Sequence, residues 1–460
     1  MSCGAGVNHV TVEAVSDTPT SRLEDGISPR IDHFFYQKHQ KIAPRKCNFI
    51  QISALLQCNM CTFAKKKIVM DANLVSYMQN QLQDVPVAFT RYMYNEIDWQ
   101  VRMFGLVGPR GVGKTVLFLQ YIKQHMNEKR LFYVSADNTW FSTHSLVELA
   151  DQFSREGGQH LFIDEVHKYV NWSQELKQIY DTHPDLKISF TGSSVLDITR
   201  GEADLSRRAP IYTMQGLSFR EYLAMFHNIS VPVIPLSTIV ENAPFAIEGL
   251  PHPLPFFKDY LQKGYYPFAK EPLFEIRLNQ VVNLTMEVDI PQYANMNAST
   301  GRKLKKLLSI VAMSVPFKPV MDKISKMVNV SRNDLTDYFL YMEHAGMIAL
   351  LRDTTNGIMG LGKVEKVYLD NPNLAYVLGE EASNIGNIRE TFFLNQMRVH
   401  NRVLLSKKSD FEIDGLTFEI GGKNKGQKQI ENIANGFVVK DDIEYGSGNV
   451  IPIWMFGLNY

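Results

Sequence analysis

Arg102-Met-Phe-Gly-Leu-Val107-Gly108-Pro-Arg-Gly-Val-Gly-Lys-Thr115 is the stretch that decides how this 460-residue chain folds. Its first part is a short apolar strand. Its second part is a glycine-rich turn. Val116 to Met126 follows with Leu117, Phe118 and Tyr121 on one helical face. Gly108-x-x-x-x-Gly113-Lys114-Thr115 fills every fixed position of a phosphate-binding loop. The chemistry needs each part. Glycines let backbone N–H groups turn inward, and the helix behind them points its positive end at an anion. Pro109, Arg110, Gly111 and Val112 complete the candidate cradle. Lys114 is placed to reach the β- and γ-phosphates of ATP, and the Thr115 hydroxyl to ligate Mg²⁺. An ordinary glycine turn would not explain why Lys-Thr opens a helix.

Leu161-Phe-Ile-Asp164-Glu165 is the matching second element. Its apolar residues place two carboxylates at the C-terminal end of a buried strand, where ligands sit in α/β sheets. Asp164 is the candidate Mg²⁺ partner. Glu165 is the candidate general base for an attacking water. Thr191-Gly-Ser-Ser194 ends a further strand, and Ser193, with Ser194, is the candidate γ-phosphate sensor. Arg207 and Arg208 follow closely. A guanidinium on the transferred phosphoryl group raises the rate by several orders of magnitude where it operates.

Outward from these motifs the pattern alternates. The spacing predicts a helix over 72–84, strands over 102–107, 131–134, 159–163 and 187–191, and helices over 116–126, 146–153 and 176–180. Strands alternating with helices predict an α/β fold: a parallel sheet with helices on both faces.

GPRGVGKT (108–115), LFIDEVHKYVNW (161–172), ISFTGSS (188–194) and SRRAPIYTMQGLSFREYL (206–223) together resemble prokaryotic AAA-superfamily P-loop ATPases. More narrowly they resemble the bacterial and archaeal family that pairs such an ATPase with a C-terminal domain of unknown function. The resemblance covers roughly residues 75–460. It implies an ATP-binding core, a winged helix and a degenerate nuclease-like tail, with an arginine after the TGSS strand where Arg207 or Arg208 stands.

The domain reading is a poorly structured segment over 1–69, the ATPase over 70–225, a helical connector over 226–300, a winged helix over 301–372 and a small α/β nuclease-like domain over 373–460. In the connector, Gly264-Tyr-Tyr-Pro-Phe268 reads as core or turn without chemistry. The winged helix is read from helices over 303–312 and 320–327, a third capped by Ser331, and wing strands over 347–351 and 365–369. Leu335, Tyr338, Phe339 and Met342 form the buried face of the third helix. That helix carries Arg332 against Asp334, Asp337 and Glu343, so its charge opposes phosphate binding and disfavours DNA as a partner. In the last region Glu390 falls on a helix, Asp410 starts a strand and Glu419 lies near the end of the next. The lysine of an active metal-dependent nuclease is missing at position 421, which is Gly, and Lys423 and Lys425 fall on a glycine turn.

Lys+Arg and Asp+Glu are both 48, so no global charge points to nucleic acid or a membrane surface. No apolar run approaches the ~18 residues that span a bilayer. No secretory signal is read, and the expected location is cytoplasmic. The 4 cysteines, Cys3, Cys47, Cys58 and Cys61, all precede Met70, so no disulfide framework holds the main body. Cys58-Asn-Met-Cys61 has zinc-knuckle spacing without a matching second pair. Residues 1–69 are more basic than the rest and lack periodicity, which makes Met70 a candidate start. The function expected is ATP hydrolysis with Mg²⁺, coupled to movement of the C-terminal modules. The alternatives are a slow nucleotide switch that binds a protein partner or a second copy, and an ATP-gated DNA nuclease.

Overall fold

Strands β1 (Met103–Val107), β2 (Leu131–Ser135), β3 (His160–Asp164), β4 (Lys187–Thr191) and β5 (Ile211–Thr213) form one parallel sheet in the order β2-β3-β4-β1-β5. This is a computed structural model. It describes residues 70–192, 205, 207–241, 247, 249–294, 296–314, 317–352, 364–379 and 385–460. The cysteines, Ser193 and Ser194 lie outside the described residues.

Period-two alternation splits the strands between two cores. Val107, Phe132, Val134, Ile163 and Phe190 face helices α4 (Leu146–Arg155) and α5 (Trp172–Thr182), with α1 (Ala72–Gln83) at the edge. Phe104, Leu106, Tyr133 and Phe162 face α3 (Lys114–His125), whose Leu117, Phe118 and Tyr121 pack on them. A short helix, α2 (Met93–Glu96), precedes β1. The sheet is therefore covered on both faces, as the alternation predicts. Central β1 lies between β4 and β5, so the turn after it opens at the C-terminal edge, where α/β sheets bind ligands.

Most element ends shift by one or two residues from the sequence reading, and three differences matter more. Strand β3 continues through Asp164, because Ser135 pairs with Asp164 in the ladder. Helix α5 begins at Trp172, whose ring is buried against Phe190. Strand β5 is an addition that the sequence reading lacks; its three residues carry too little periodicity to register.

Beyond the sheet come α6 (Phe219–His227), α7 (Leu236–Glu241), α8 (Pro253–Asp259), α9 (Phe274–Leu284) and α10 (Ile290–Tyr293). Then α11 (Ala298–Ser314), α12 (Met321–Val328) and α13 (Arg332–His344) lead into an antiparallel pair, β6 (Ile348–Arg352) and β7 (Val364–Leu369). Ser331 caps α13 by accepting from the Asp334 amide, and Leu335, Tyr338, Phe339 and Met342 are its buried residues. Helices α14 (Pro372–Leu378) and α15 (Ile385–Met397) precede a second five-stranded sheet. Its strands are β8 (Leu404–Leu405), β9 (Phe411–Ile413), β10 (Leu416–Gly421), β11 (Gly436–Lys440) and β12 (Val450–Pro452). Here β8, β9 and β10 run antiparallel, whereas β10, β11 and β12 run parallel. One continuous apolar core runs from Phe219 to Leu458 through all these elements.

Asp410 precedes β9 instead of starting it, and its carboxylate accepts from the Ile420 amide. Lys366 stands 3.3 Å from both Glu390 and Asp410. Lys425, read as part of a glycine turn, reaches back to pair with buried Glu419. Among the described residues no helix is long and apolar enough to cross a membrane.

Candidate nucleotide-binding site

The loop between β1 and α3 owes its shape to glycine. Gly108 has φ 148°, and a Cβ there would meet the Met214 carbonyl oxygen at 2.1 Å. Gly113 has φ 99° and is the residue before α3. Both conformations are ones that other residues adopt only with strain. Lys114 is buried, and its Nζ donates to the Gly108 and Pro109 carbonyls at 2.8 and 2.9 Å. Burial pushes its ammonium down to about 8, and Glu165 and Asp164 pull it back up. An incoming phosphate would supply the counter-charge that this lysine takes from two carbonyl dipoles.

Asp164 is buried and collects three hydroxyl donors. Thr115 Oγ1 donates to Oδ2 at 2.7 Å, Tyr133 Oη to Oδ2 at 2.9 Å, and Thr191 Oγ1 to Oδ1. Thr115 and Asp164 together offer adjacent oxygen donors, the ligand chemistry that suits Mg²⁺. The next residue, Glu165, has φ 53°, a left-handed conformation uncommon outside glycine. Its amide donates to Thr191 Oγ1 at 3.0 Å. Thr191 thus braces both acidic residues from the end of β4. Burial first, and Asp164 second, raise the Glu165 carboxyl above its ordinary value, while Lys114 and Arg110 oppose the rise. His167 Nε2 lies 3.2 Å from Glu165, and burial pushes that imidazole down to about 3, so it is neutral. A carboxylate of raised basicity beside a buried lysine is suited to accept a proton from water.

A buried ion pair supports the loop from below. Arg91 Nε is 3.0 Å from both oxygens of Glu221. Its remaining nitrogens donate to the Val112, Gln215 and Gly216 carbonyls. Glu221 also accepts from the Tyr92 amide at 2.6 Å and closes a capping box with Ser218 at the start of α6. The SFREY stretch (218–222) is therefore a brace for the phosphate loop.

The loop opens into a cavity of about 650 Å³. Lys114, Thr115, Glu165 and the 110–113 backbone line one part. Pro86, Ala88, Phe89 and Gln120 line another, and Met225, Pro267, Phe268, Lys270 and Glu271 line a third. The C-terminal half touches the loop at three successive residues. Gly346, with φ 69°, lies so close to Pro109 that a Cβ would meet its Cγ at 2.4 Å. Arg110 is paired with Asp289 at 2.5 Å. A Cβ on Gly111 would meet the Phe268 ring at 2.6 Å.

The structure thus brings Lys114, Thr115, Asp164 and Glu165 together. It does not bring Arg207 or Arg208 to them. Arg207 is exposed, and Arg208 pairs with Asp181 at 3.0 Å, before the N-terminal end of β5 and so at the sheet edge opposite the loop. The Arg110 side chain is directed to Asp289, so its part in the cradle is that of its backbone. Thr191, Tyr133, Gln120, Asp289 and Phe268 were not among the sequence candidates. Thr191 had a local signal, being the last polar residue of its strand. The others meet the loop only through long-range packing.

Residues 100–223 match the family model described as AAA domain, and residues 255–384 match a domain of unknown function (DUF8612). The uncharacterized protein MJ1637 of Methanocaldococcus jannaschii is 26% identical over 283 residues, which is 56% of this chain and 58% of that protein. The chain therefore spans under two thirds of that relative's length. Among solved structures, the Walker-type ATPase PABY2304 of Pyrococcus abyssi overlaps at a TM-score of 0.40 with 13% identity, over 65% of this chain and 99% of that one. AMPPCP-bound DnaA from Aquifex aeolicus overlaps at 0.24 with 15% identity, over 60% and 89%. Residues 100–223 thus match an AAA-domain model and carry a five-stranded parallel sheet with a phosphate-loop geometry.

Proposed function

We propose that the protein is an Mg²⁺-dependent ATPase whose hydrolysis repositions the C-terminal half, residues 226–460, against the ATPase core of residues 70–225. The observation that carries this reading is that Lys114, Thr115 and Glu165 line one cavity, with buried Asp164 directly behind the Thr115 hydroxyl. Lys114 would leave its two carbonyl acceptors for the β- and γ-phosphates. Thr115 and Asp164 would hold Mg²⁺, which supplies neutralisation of the phosphate charge. Glu165 would accept the proton of the attacking water. The contacts of Pro109, Arg110 and Gly111 with Gly346, Asp289 and Phe268 support the coupling, because a shift of the loop displaces their partners.

The placement of Arg207 and Arg208 away from the cavity favours a second reading: slow turnover until another molecule, a protein partner or a second copy, supplies an arginine. In both readings the three helices and two strands over 298–369 serve as a winged-helix contact module for protein, not for duplex DNA.

Steady-state phosphate release by the full chain is the test, with Lys114→Ala and Glu165→Gln beside it. The expected result is turnover lost in both, with ATP binding retained in Glu165→Gln. Tight ATP binding without turnover in the wild type selects the switch reading. Absence of ATP binding overturns both.

A further inference from the structure

Helix α9 runs through a π turn (Thr285–Asp289) into α10, so residues 274–293 form one continuous rod, ~30 Å long. Its inner face is Phe274, Leu278, Val282, Met286 and Ile290, all buried. Ile276, Leu284 and Val288 stand on the outer face at 54%, 41% and 43% exposure, with exposed Gln280 between them. The spacing 276-280-284-288 is a single i+4 ridge, the kind of row that packs against a facing helix. Bonds that close over five residues slow the helical rotation. The π turn therefore keeps Val288 in line with Leu284 while Asp289 turns inward to Arg110.

Leu273, just before the helix, is a second observation. It is 68% exposed and has φ 63°. A left-handed conformation costs a residue with a side chain about 1–2 kcal/mol, and such strain concentrates where function needs it. Here it holds an apolar side chain out in solvent, beside a groove of about 500 Å³ that Gln262, Phe274, Ile276 and Tyr376 also line. Aligned apolar side chains of this kind mark a surface that something covers.

The charges along the face say what covers it. Near the N-terminal end Arg277 pairs with Glu271 at 3.1 Å, and near the other end Lys305 of α11 pairs with Glu287 at 3.0 Å. All four side chains are 40–50% exposed, so both pairs are weak and free to exchange partners. A second rod, turned end for end about a two-fold axis at residue 282, fits this pattern. Ile276 then meets the partner's Val288, Gln280 the partner's Leu284, and Arg277 the partner's Glu287. Opposite charges meet at both ends. A parallel arrangement would instead set Arg277 beside Arg277 and Glu287 beside Glu287. The face is complementary to itself in the antiparallel sense alone.

We propose that the protein pairs with a second copy of itself through the outer face of the 274–293 rod, antiparallel about residue 282. The exposed apolar side chains fall short of the ~800 Å² per partner of a standard interface, so the pairing belongs to the weak, reversible class. The inner side of the same rod carries Asp289, which holds Arg110 of the phosphate loop, so association bears on that loop from behind. The pairing stands on the surface itself and does not depend on the nucleotide reading.

Sedimentation equilibrium of the full chain is the test, under reducing conditions that remove dimers linked through the 4 cysteines. The wild type is expected to dimerise with a Kd on the order of 10 μM. Leu284→Glu puts a charge close to the two-fold axis and should weaken association by at least about tenfold. Arg277→Glu and Glu287→Arg each set like charges against one another and should weaken it by about tenfold. An equimolar mixture of those two variants restores opposite charges at both ends. Mixed dimers should then form with about wild-type affinity, read from a fluorescent label on one of the two proteins. Chains that fail to fold cannot produce that recovery. A wild type that stays monomeric up to about 200 μM would overturn the pairing and leave the face to a different protein. Dimers that ignore all three substitutions, or charge reversals that the mixture does not rescue, would overturn it as well.

Discussion

Arg110 of the phosphate loop and Asp289, 179 residues later, form a two-pronged ion pair, with Nε and Nη2 at 2.5 and 2.9 Å from the two carboxylate oxygens. Asp289 is 6% and Arg110 20% exposed at the side chain, so water screens the pair poorly. A bidentate pair in such a setting should be worth more than a surface bridge. A double-mutant cycle with Arg110→Ala and Asp289→Ala is expected to give a coupling of about 1–3 kcal/mol in urea unfolding. Strict additivity would show that the loop is not held from this side.

Tyr133 donates to the carboxylate that Thr115 also contacts. It does not line the cavity, and under the proposed function it would act by orienting Asp164. Tyr133→Phe is therefore expected to lower turnover roughly tenfold and raise the Mg²⁺ concentration needed for half-maximal rate, as loss of a ligand's outer partner does. ATP binding without Mg²⁺ should stay the same. A fall in Mg²⁺-free binding would mean that the tyrosine shapes the cavity instead.

The Arg91–Glu221 pair is buried at both ends, with side chains 6% and 0% exposed. Glu221→Ala leaves a guanidinium uncompensated and should cost about 3–5 kcal/mol of stability. Removing both charges, as Arg91→Met with Glu221→Leu, should cost less than Glu221→Ala alone. Chemical unfolding of the three proteins checks the order.

His160 is 2% exposed, its Nε2 2.7 Å from Ser189 Oγ, and it stacks on Phe162. Burial, with Lys187 and Lys129 adding, pushes it down to about 3, against 6.5 in the unfolded chain. The native state therefore refuses a proton that the unfolded state takes up. Stability from this group is whole above pH 6.5 and is lost as the pH falls from there toward 3. The loss between pH 6.5 and 4 should be on the order of 3 kcal/mol. His160→Asn should flatten the slope of stability against pH in this window by about one proton. An unchanged slope would assign the acid sensitivity to other groups.

The parallel sheet and the phosphate loop were legible because both are local patterns: an apolar run, a glycine turn and a helix in one unbroken stretch from Met103 to His125. The buried face of α13 was legible for the same reason, since Leu335, Tyr338, Phe339 and Met342 follow the helical period. The left-handed turn at Glu165 was not, because nothing in Asp-Glu-Val-His specifies it; the Thr191 hydroxyl, 26 positions on, holds it. Gln120 reads as one more polar residue of α3 until the carbonyls of Pro86 and Phe89 are seen to fix its amide. Tyr265 and Tyr266 do pack as core, but the next two residues of that stretch, Pro267 and Phe268, wall the cavity. Lys425 closes on Glu419 from a turn, which a fixed spacing between motif residues does not detect.

The order in which the cavity's walls occur along the chain has a consequence for synthesis. Pro86 to Glu165 precede Met225 and Phe268, and the Gly346 support for the loop comes later still. At about 5–20 residues per second, a nascent chain displays its phosphate loop on the order of ten seconds before the Phe268 wall emerges from the ribosome. During that interval the loop lacks its far wall and its brace from Asp289. The finished cavity is therefore assembled only once the second half of the polypeptide has folded against the first.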